Sequence, residues 1–479
     1  VKQLHLANIA NVAYGYARIV REAGAAADVL CYDLAHVLSQ PEWADGDFEI
    51  PVSDEWRAPE DHPALRQAAP PGWYRRIRSQ DHWVSGPALD RSPRLGPDWA
   101  DAIVRASERY GPRWSLTRED VLAYAPLVDA LQARFFAGYD IIFGYAYGAV
   151  PPLLAALTPY VPVEIGTLRD TVAIDGPLGR LLALAYRSAP AMIVTNADCR
   201  AAAEALQLEN YRFVPHPVDE DVFRPLPPEE RLAVRRSLGA SRHLLLAPAR
   251  QSWEVKANQR YVRAFAELVR GGTDATLLIS EWGPDVGRTR RLIADLGIAD
   301  RVTWFPPAPE RRLARMLAAA DLVLDQFGTF GTFGLIAPKA MACATPCLLS
   351  FEPALHGWCF AEMPPLVGVR EEQEILAAMR RLLGDEPGRA ARGAASRDWM
   401  IRHHAKAIVA EKMQRIVEQV LCDSRPGAGF DLLRRQRLEL ARSAQPPAVP
   451  AAPALRPMMR RLTSLAARFR RGLSRAAGP

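Results

Sequence analysis

Short apolar runs recur along the chain, and each is followed by a stretch whose apolar residues fall at helical spacing. Leu4 to Ala10 reads as a strand that meets Asn11; Val12 to Ala23 then carries helical spacing, and Gly24 supplies the stop. A second strand covers Asp28 to Asp33. After a long interruption come a helix from Arg118 to Phe136, a strand from Asp140 to Gly144, a helix after Pro151 and a strand from Val161 to Ile165. Ala191 to Val194 continues the series. The pattern restarts at His243 to Ala247, with a helix opening at Lys256-Ala257-Asn258 and strands at Ala275 to Ile279, Val302 to Phe305 and Leu322 to Leu324. Strands alternating with helices predict an α/β fold of parallel sheets in two Rossmann-like halves.

Two regions break that rhythm. Residues 40 to 115 are rich in Pro and hold six of the eleven Trp (Trp43, Trp56, Trp73, Trp83, Trp99, Trp114). So long a weakly periodic stretch is usually functional or flexible, and two readings stand: aromatic contact with an acceptor, or rings that staple an insertion to the core. The tail from Ser424 is rich in Pro, Ala and Arg, and disorder is expected between residues 443 and 457. Beyond it Met458, Leu462, Leu465, Phe469 and Leu473 fall near one helical face and six Arg cover much of the rest. That basic amphipathic pattern over 458–475 suits an anionic membrane surface; a solvated tail is the other reading. The expected organisation is a first domain over 1–216, a linker over 217–242, a second domain over 243–395, a returning helix over 396–422 and a tail over 423–479.

With 479 residues, 49% apolar and 24% charged, the chain has room for two or three domains and a large core. The net charge of +6 is local, because residues 451–479 hold seven Arg and no acid, so a nucleic-acid-binding core is excluded. Six scattered Cys lack paired metal or redox spacing and read as reduced thiols. Neither a signal-peptide pattern nor an apolar run of about 18 residues is present, so a cytoplasmic protein is expected. No metal site is predicted; the adjacent His403 and His404 point about 100° apart on a helix.

The candidate chemistry gathers in the second half. Asp321 to Pro346 runs from a strand through a turn rich in Gly and Phe into a short helix. Pro338 fits a first helical turn, so the helix starts at or just after Gly334. Its free N–H groups then face the gap left by Gly328 and Gly331, as in a generic anion site; an ordinary strand-turn-helix has the same pattern. Arg250 and Lys256 follow the first strand of this half, and two cations near a helix start suit a diphosphate. In the first half, Glu164 and Arg169 end a strand at the edge where open α/β sheets place ligands. A structural Arg–carboxylate pair is the alternative there. Asn11 stands in the first turn, as a ligand contact or a cap.

Phe333-Gly334-Leu335-Ile336-Ala337, Ala340-Met341-Ala342-Cys343 and Thr345-Pro346 resemble the donor-site signature of the retaining family-4 glycosyltransferases of GT-B fold. The family signature carries two Glu separated by seven residues; Gly331 and Lys339 occupy those positions here, and Ile165 stands where many members have His. The resemblance implies two Rossmann-like domains facing a cleft. It also implies that Arg250 and Lys256 clamp a donor diphosphate, helped by Gly334 and Leu335 at the helix start, with Asp325 and Lys339 contacting the donor. Glu164, Arg169 and Asn11 are the acceptor-side candidates; no catalytic residue is assigned. The implied activity is a metal-independent, cofactor-free, retaining hexosyl transfer from a nucleotide-sugar donor to a glycan or lipid-linked acceptor. Cell-surface polysaccharide synthesis at the inner membrane face is the implied setting. With both signature carboxylates absent, a catalytically inactive GT-B module binding glycan or protein is the alternative, and a nucleotide-sugar epimerase is a third reading.

Overall fold

A strand that is apolar on both faces needs cover on both sides, and the computed structural model supplies it for two separate sheets. It describes residues 1–31, 37–52, 70–76, 94–171, 174–328, 330–422 and 430–443. The first sheet holds β1 (Lys2–Leu6), β2 (Ala26–Cys31), β3 (Tyr74–Arg76), β4 (Ile141–Tyr145), β5 (Tyr160–Val163), β6 (Met192–Val194) and β7 (Tyr211–Phe213). The second holds β8 (His243–Ala247), β9 (Ala275–Ser280), β10 (Val302–Phe305), β11 (Leu322–Leu324), β12 (Cys347–Leu349) and β13 (Val367–Gly368). Their orders are β3-β2-β1-β4-β5-β6-β7 and β10-β9-β8-β11-β12-β13, with every pairing parallel. Alternation of side chains divides each sheet between two cores: Leu244 and Leu246 of β8 enter one, Leu245 and Ala247 the other.

Both sheets reverse direction beside their first strand, between β1 and β4 and between β8 and β11. A doubly wound sheet opens a crevice at the carboxyl ends of the strands at such a reversal, and loops that leave there are placed to bind ligands. Arg250, Asp325 and Gln326 leave from the second of these points.

The halves are joined twice. After β7 the chain crosses at Pro215–Asp219, where Val218 pairs in parallel with Ala405, and His404 Nδ1 lies 2.9 Å from the His216 carbonyl. The helix Lys406–Cys422 then returns, seating Val409, Met413, Ile416 and Val417 in the core of the first sheet beside the helix Val12–Glu22. Arg18 on that helix meets Asp219 at 2.9 Å.

Three departures have local causes. The helix expected over Arg118 to Phe136 is two, Arg118–Leu122 and Ala125–Arg134, because Pro126 fits only near a helix start. The described part of the Trp-rich stretch is core: Trp43, Trp99 and Trp114 are buried, and Trp73 stacks on Tyr14 at 4.9 Å. Within the expected tail, Phe430–Ser443 is a helix whose Phe430 and Leu433 are buried, with Arg437 over the Trp99 ring. Trp56, Trp83 and the basic segment 458–475 lie outside the described residues.

Candidate active site

Local chemistry decides how the loop after β8 presents its cations. Asn258 Oδ1 accepts from Ser252 N–H at 2.7 Å, and its amide donates to the Arg250 carbonyl at 3.3 Å, which fastens the loop to the helix Asn258–Arg270. Between the short helix Trp253–Lys256 and that longer one, Ala257 is left-handed at φ 49°. The break ends the first helix at Lys256 and aims its side chain at the end of β11.

There the Lys256 ammonium donates to Gln326 Oε1. Burial lowers the Lys256 pKa; the Asp325 carboxylate opposes that, and Arg250 and the facing domain's Arg169 add to the lowering. Lys256 thus feels the charge of Arg250 from its own loop and of Arg169 from the facing domain. Asp325 is 3% exposed and its Oδ2 has no hydrogen-bond partner among the described residues. Burial raises its pKa against the pull of Lys256. The sequence offers Asp325 as a donor contact; the structure encloses it as the charge that faces Lys256.

The turn after β11 is built around glycine. A Cβ at Gly328 would lie 2.2 Å from the Val255 carbonyl oxygen. Gly331 has φ 63°, and its Cβ would lie 2.9 Å from Glu352 Cβ and 3.3 Å from Leu355 Cδ1. A side chain at the position where the signature has its first Glu is thus strained. Thr332 is held from both sides: Gln326 Nε2 donates to its carbonyl, and its hydroxyl lies 3.3 Å from His356 Nε2. His356 Nδ1 donates to the Glu352 carbonyl at 2.9 Å, which leaves Nε2 to accept from Thr332. Phe333 stacks on His356 at 5.1 Å.

Leu335 packs against the core of the first sheet, as do Ala10 and Ile165, so the turn reaches the facing domain. The following helix, Ile336–Ala342, begins where Pro338 requires, and Gly334 has open space around it. The sequence offers Lys339 as a donor contact. It is 9% exposed, meets Glu310 Oε1 at 2.7 Å and lies 5.0 Å from the Phe223 ring, so its charge is spent within the domain.

On the facing side, Arg169 grips Asp198 with two hydrogen bonds, Nη2 to Oδ1 at 2.7 Å and Nε to Oδ2. Burial opposes the charge on Arg169, but that carboxylate outweighs it and raises the pKa. Its guanidinium lies 5.1 Å from the Phe330 ring across the cleft, and Phe330 is 39% exposed. Glu164 is fully buried: one oxygen accepts from Gly166 N–H, and the other lies 3.3 Å from Thr195 N and 3.4 Å from Asn196 Nδ2. It fixes the loop after β5 and does not reach the cleft. Asn11 is left-handed at φ 61° and accepts from Asn8 Nδ2 at 3.0 Å, as part of the first turn's own bonding. His216, buried near Lys339 and Arg169, has its pKa lowered to about 4 by burial and then by those cations.

Lys256 therefore feels both Arg250 and Arg169, and Leu335 packs against the facing domain, while Glu164, Asp325 and Lys339 are enclosed. Gln326 and Phe330 complete the arrangement. The Asp-Gln pair directly after a buried strand was the sequence signal for the first; the second had none. Among the described residues no three His, Cys, Asp or Glu converge as a metal site, and no helix is long and apolar enough to cross a membrane.

Two parallel, doubly wound sheets facing a cleft and closed by a returning helix define the GT-B fold. Solved GT-B structures agree over most of the chain. Sucrose-phosphate synthase from Thermosynechococcus elongatus superposes with a TM-score of 0.56 at 16% identity, covering 88% of this chain and 100% of that one. Anabaena HepE, in complex with UDP and glucose, gives 0.59 at 16% identity over 87% and 99%. Residues 237–399 match the family model of the glycosyl transferases group 1, so the resemblance drawn from the turn extends over the second sheet. A D-inositol 3-phosphate glycosyltransferase of Nocardia farcinica is 34% identical over 176 residues, 33% of this chain and 38% of that protein. That of Mycolicibacterium paratuberculosis is 38% identical over 142 residues, 28% and 30% respectively. The chain thus matches 38% and 30% of the length of these two curated relatives.

Proposed function

We propose that this chain is a glycosyltransferase that moves a sugar from a nucleoside-diphosphate donor to a glycan or lipid-linked acceptor. The observation behind the proposal is the Lys256 ammonium held on Gln326 at the end of β11, with Arg250 leaving the neighbouring β8 at the reversal point of the second sheet. When the bond from the anomeric carbon to the diphosphate breaks, negative charge grows on the leaving oxygen, and preorganised cations in a partly buried cleft stabilise that change. Arg250 and Lys256 hold the diphosphate, and Arg169 adds positive potential from the facing domain. Gly334 and Leu335 line the entrance to the seven-residue helix, whose short dipole adds little. Asn11 borders the acceptor side. Asp325 and Lys339 act behind the surface, the first on Lys256 and the second on Glu310.

Retention of anomeric configuration, a hexosyl donor and a role in cell-surface polysaccharide synthesis are parts of the same proposal, supported by the turn's resemblance to the retaining family. No metal or cofactor is required by it. The basic segment 458–475 would hold the protein on an anionic inner membrane face, a point that co-sedimentation with phosphatidylglycerol vesicles tests directly.

The decisive experiment incubates the protein with UDP-, GDP- and ADP-linked hexoses and follows release of the nucleoside diphosphate, with and without membrane extract as acceptor. NMR of the product reads the anomeric configuration. Turnover that is lost in Lys256→Met supports the proposal. Tight nucleotide-sugar binding without turnover under any condition replaces it with the non-catalytic GT-B module.

A further inference from the structure

Gln326 is 6% exposed, and every polar atom of its side chain is occupied. Its Oε1 accepts from Lys256 Nζ, and its Nε2 donates to the Thr332 carbonyl. Its own backbone carbonyl accepts from Ser350 N–H at 2.7 Å, which ties it to the end of β12. A carboxamide can accept from an ammonium at its oxygen and donate to a carbonyl at its nitrogen at once. Glu in its place would repel the carbonyl, and an apolar residue would leave both partners unmet.

The turn reached through Thr332 is stiff. Glu352 N–H donates to the Gly331 carbonyl at 2.8 Å, His356 takes the Thr332 hydroxyl, and Phe333 lies on the His356 ring. Its outer residues, Phe330 and Leu335, meet Arg169 and the core of the facing domain. Through one carboxamide the cation of the loop after β8 is linked to a wall that touches the opposite domain. Asp325, enclosed beside it, supplies the negative charge that faces the ammonium.

We propose that Gln326 is a positioning residue that acts through Lys256, fixing the ammonium at the anion site and coupling it to the turn that meets the facing domain. The inference rests on the reading of Lys256 as a diphosphate contact. It separates Gln326 from a merely structural role, because a residue that only holds the turn lowers stability without working through Lys256.

A double-mutant cycle on the full chain tests it. UDP, GDP and ADP are titrated by calorimetry into the wild type, Gln326→Met, Lys256→Met and the double variant, and release of UDP from UDP-glucose into water is timed for each. Loss of a hydrogen bond to a charged group predicts a dissociation constant weakened about tenfold or more in Gln326→Met. In the Lys256→Met background the same change should alter it by less than about threefold, since the group it acts through is gone. Should Gln326→Met fail to fold, Gln326→Asn, a carboxamide one methylene short, takes its place in the cycle. Additive effects, or wild-type affinity in the Gln326 variant, overturn the inference and leave the donor site standing. Absence of nucleotide binding by the wild type overturns both.

Discussion

Replacing Gly331 by Ala should destabilise the protein by about 2–5 kcal/mol, while the same change three residues on, at Gly334, should be close to neutral. A residue with a Cβ held in the left-handed region costs about 1–2 kcal/mol, and Gly331 has φ 63°. Its Cβ would lie 2.9 Å from Glu352 Cβ and 3.3 Å from Leu355 Cδ1, and the first of these sits at the root of a side chain whose backbone N–H already bonds the Gly331 carbonyl. Relieving such overlap in packed surroundings costs about 1–3 kcal/mol more. Gly334 has no positive φ and nothing within 4 Å of its added Cβ, so Ala there gains from a less flexible unfolded chain, by about 0.4–1 kcal/mol. Urea denaturation of both variants beside the wild type measures the difference. Agreement of the two within about 0.5 kcal/mol would refute the claim that the turn's shape disfavours a side chain at position 331. The same reasoning predicts that Gly331→Glu, which restores the signature, unfolds more readily than the wild type and gains no activity.

Other consequences are independent of that turn. The affinity of the wild type for UDP should fall as pH rises from 8 to 10, because burial and two neighbouring cations lower the Lys256 pKa from 10.5, and Lys256→Met should be weaker by about ten- to hundredfold and flat over the same range. In folding the sign is the reverse: with the folded pKa below the unfolded one, the charge on Lys256 costs stability at neutral pH, and the cost is relieved as pH rises through the folded value. Asp321→Ala should cost about 3–5 kcal/mol in a denaturation measurement, since Asp321 is buried and accepts from Arg231 at 2.8 Å, Arg235 at 2.9 Å and Leu244 N–H at 2.8 Å. Burial would raise the Asp321 pKa, but those donors outweigh it and lower it from 3.8; its stabilisation is therefore present above 3.8 and lost as pH falls through the folded value, a slope that Asp321→Asn should remove. Ala10→Gly should raise stability by about 0.5–1 kcal/mol, because Ala10 is left-handed at φ 50° and glycine relieves more strain than its unfolded-chain entropy costs.

Strands and helices were legible because apolar periodicity is a local consequence of burial. Val302–Phe305 and Leu322–Leu324 fall where the pattern puts them, and Pro338 places its helix within two residues. The place of Arg250 and Lys256 just after β8 was legible for a similar reason, since both follow its apolar run at short spacing. Backbone conformation was less so. The first turn lacks paired glycines, yet Ala7, Ala10 and Asn11 all take positive φ there, held by Asn8, which donates to Asn11 and Ser39 and accepts from Tyr14 N–H. Tertiary hydrogen bonds impose what the residue types do not favour.

Partners distant in sequence were out of reach altogether. Lys339 belongs to Glu310 on the preceding helix, Glu164 to the end of β6, and Arg169 to Asp198. In each case the sequence supplied a charged side chain at a ligand-binding edge, and packing against a neighbouring element decided whether it faced inward. Gln326 could be placed near the turn from its position after β11, but its two bonds depend on how the loop after β8 folds back on it.

The central claim is that Arg250 and Lys256 form the diphosphate half of a donor site. Calorimetric titration of UDP and GDP into the wild type, Arg250→Ala and Lys256→Met measures it most directly. The account predicts saturable binding of at least one nucleotide to the wild type, weakened at least tenfold in each variant while each variant stays folded. Equal affinity in all three proteins, or no binding to the wild type, would contradict it.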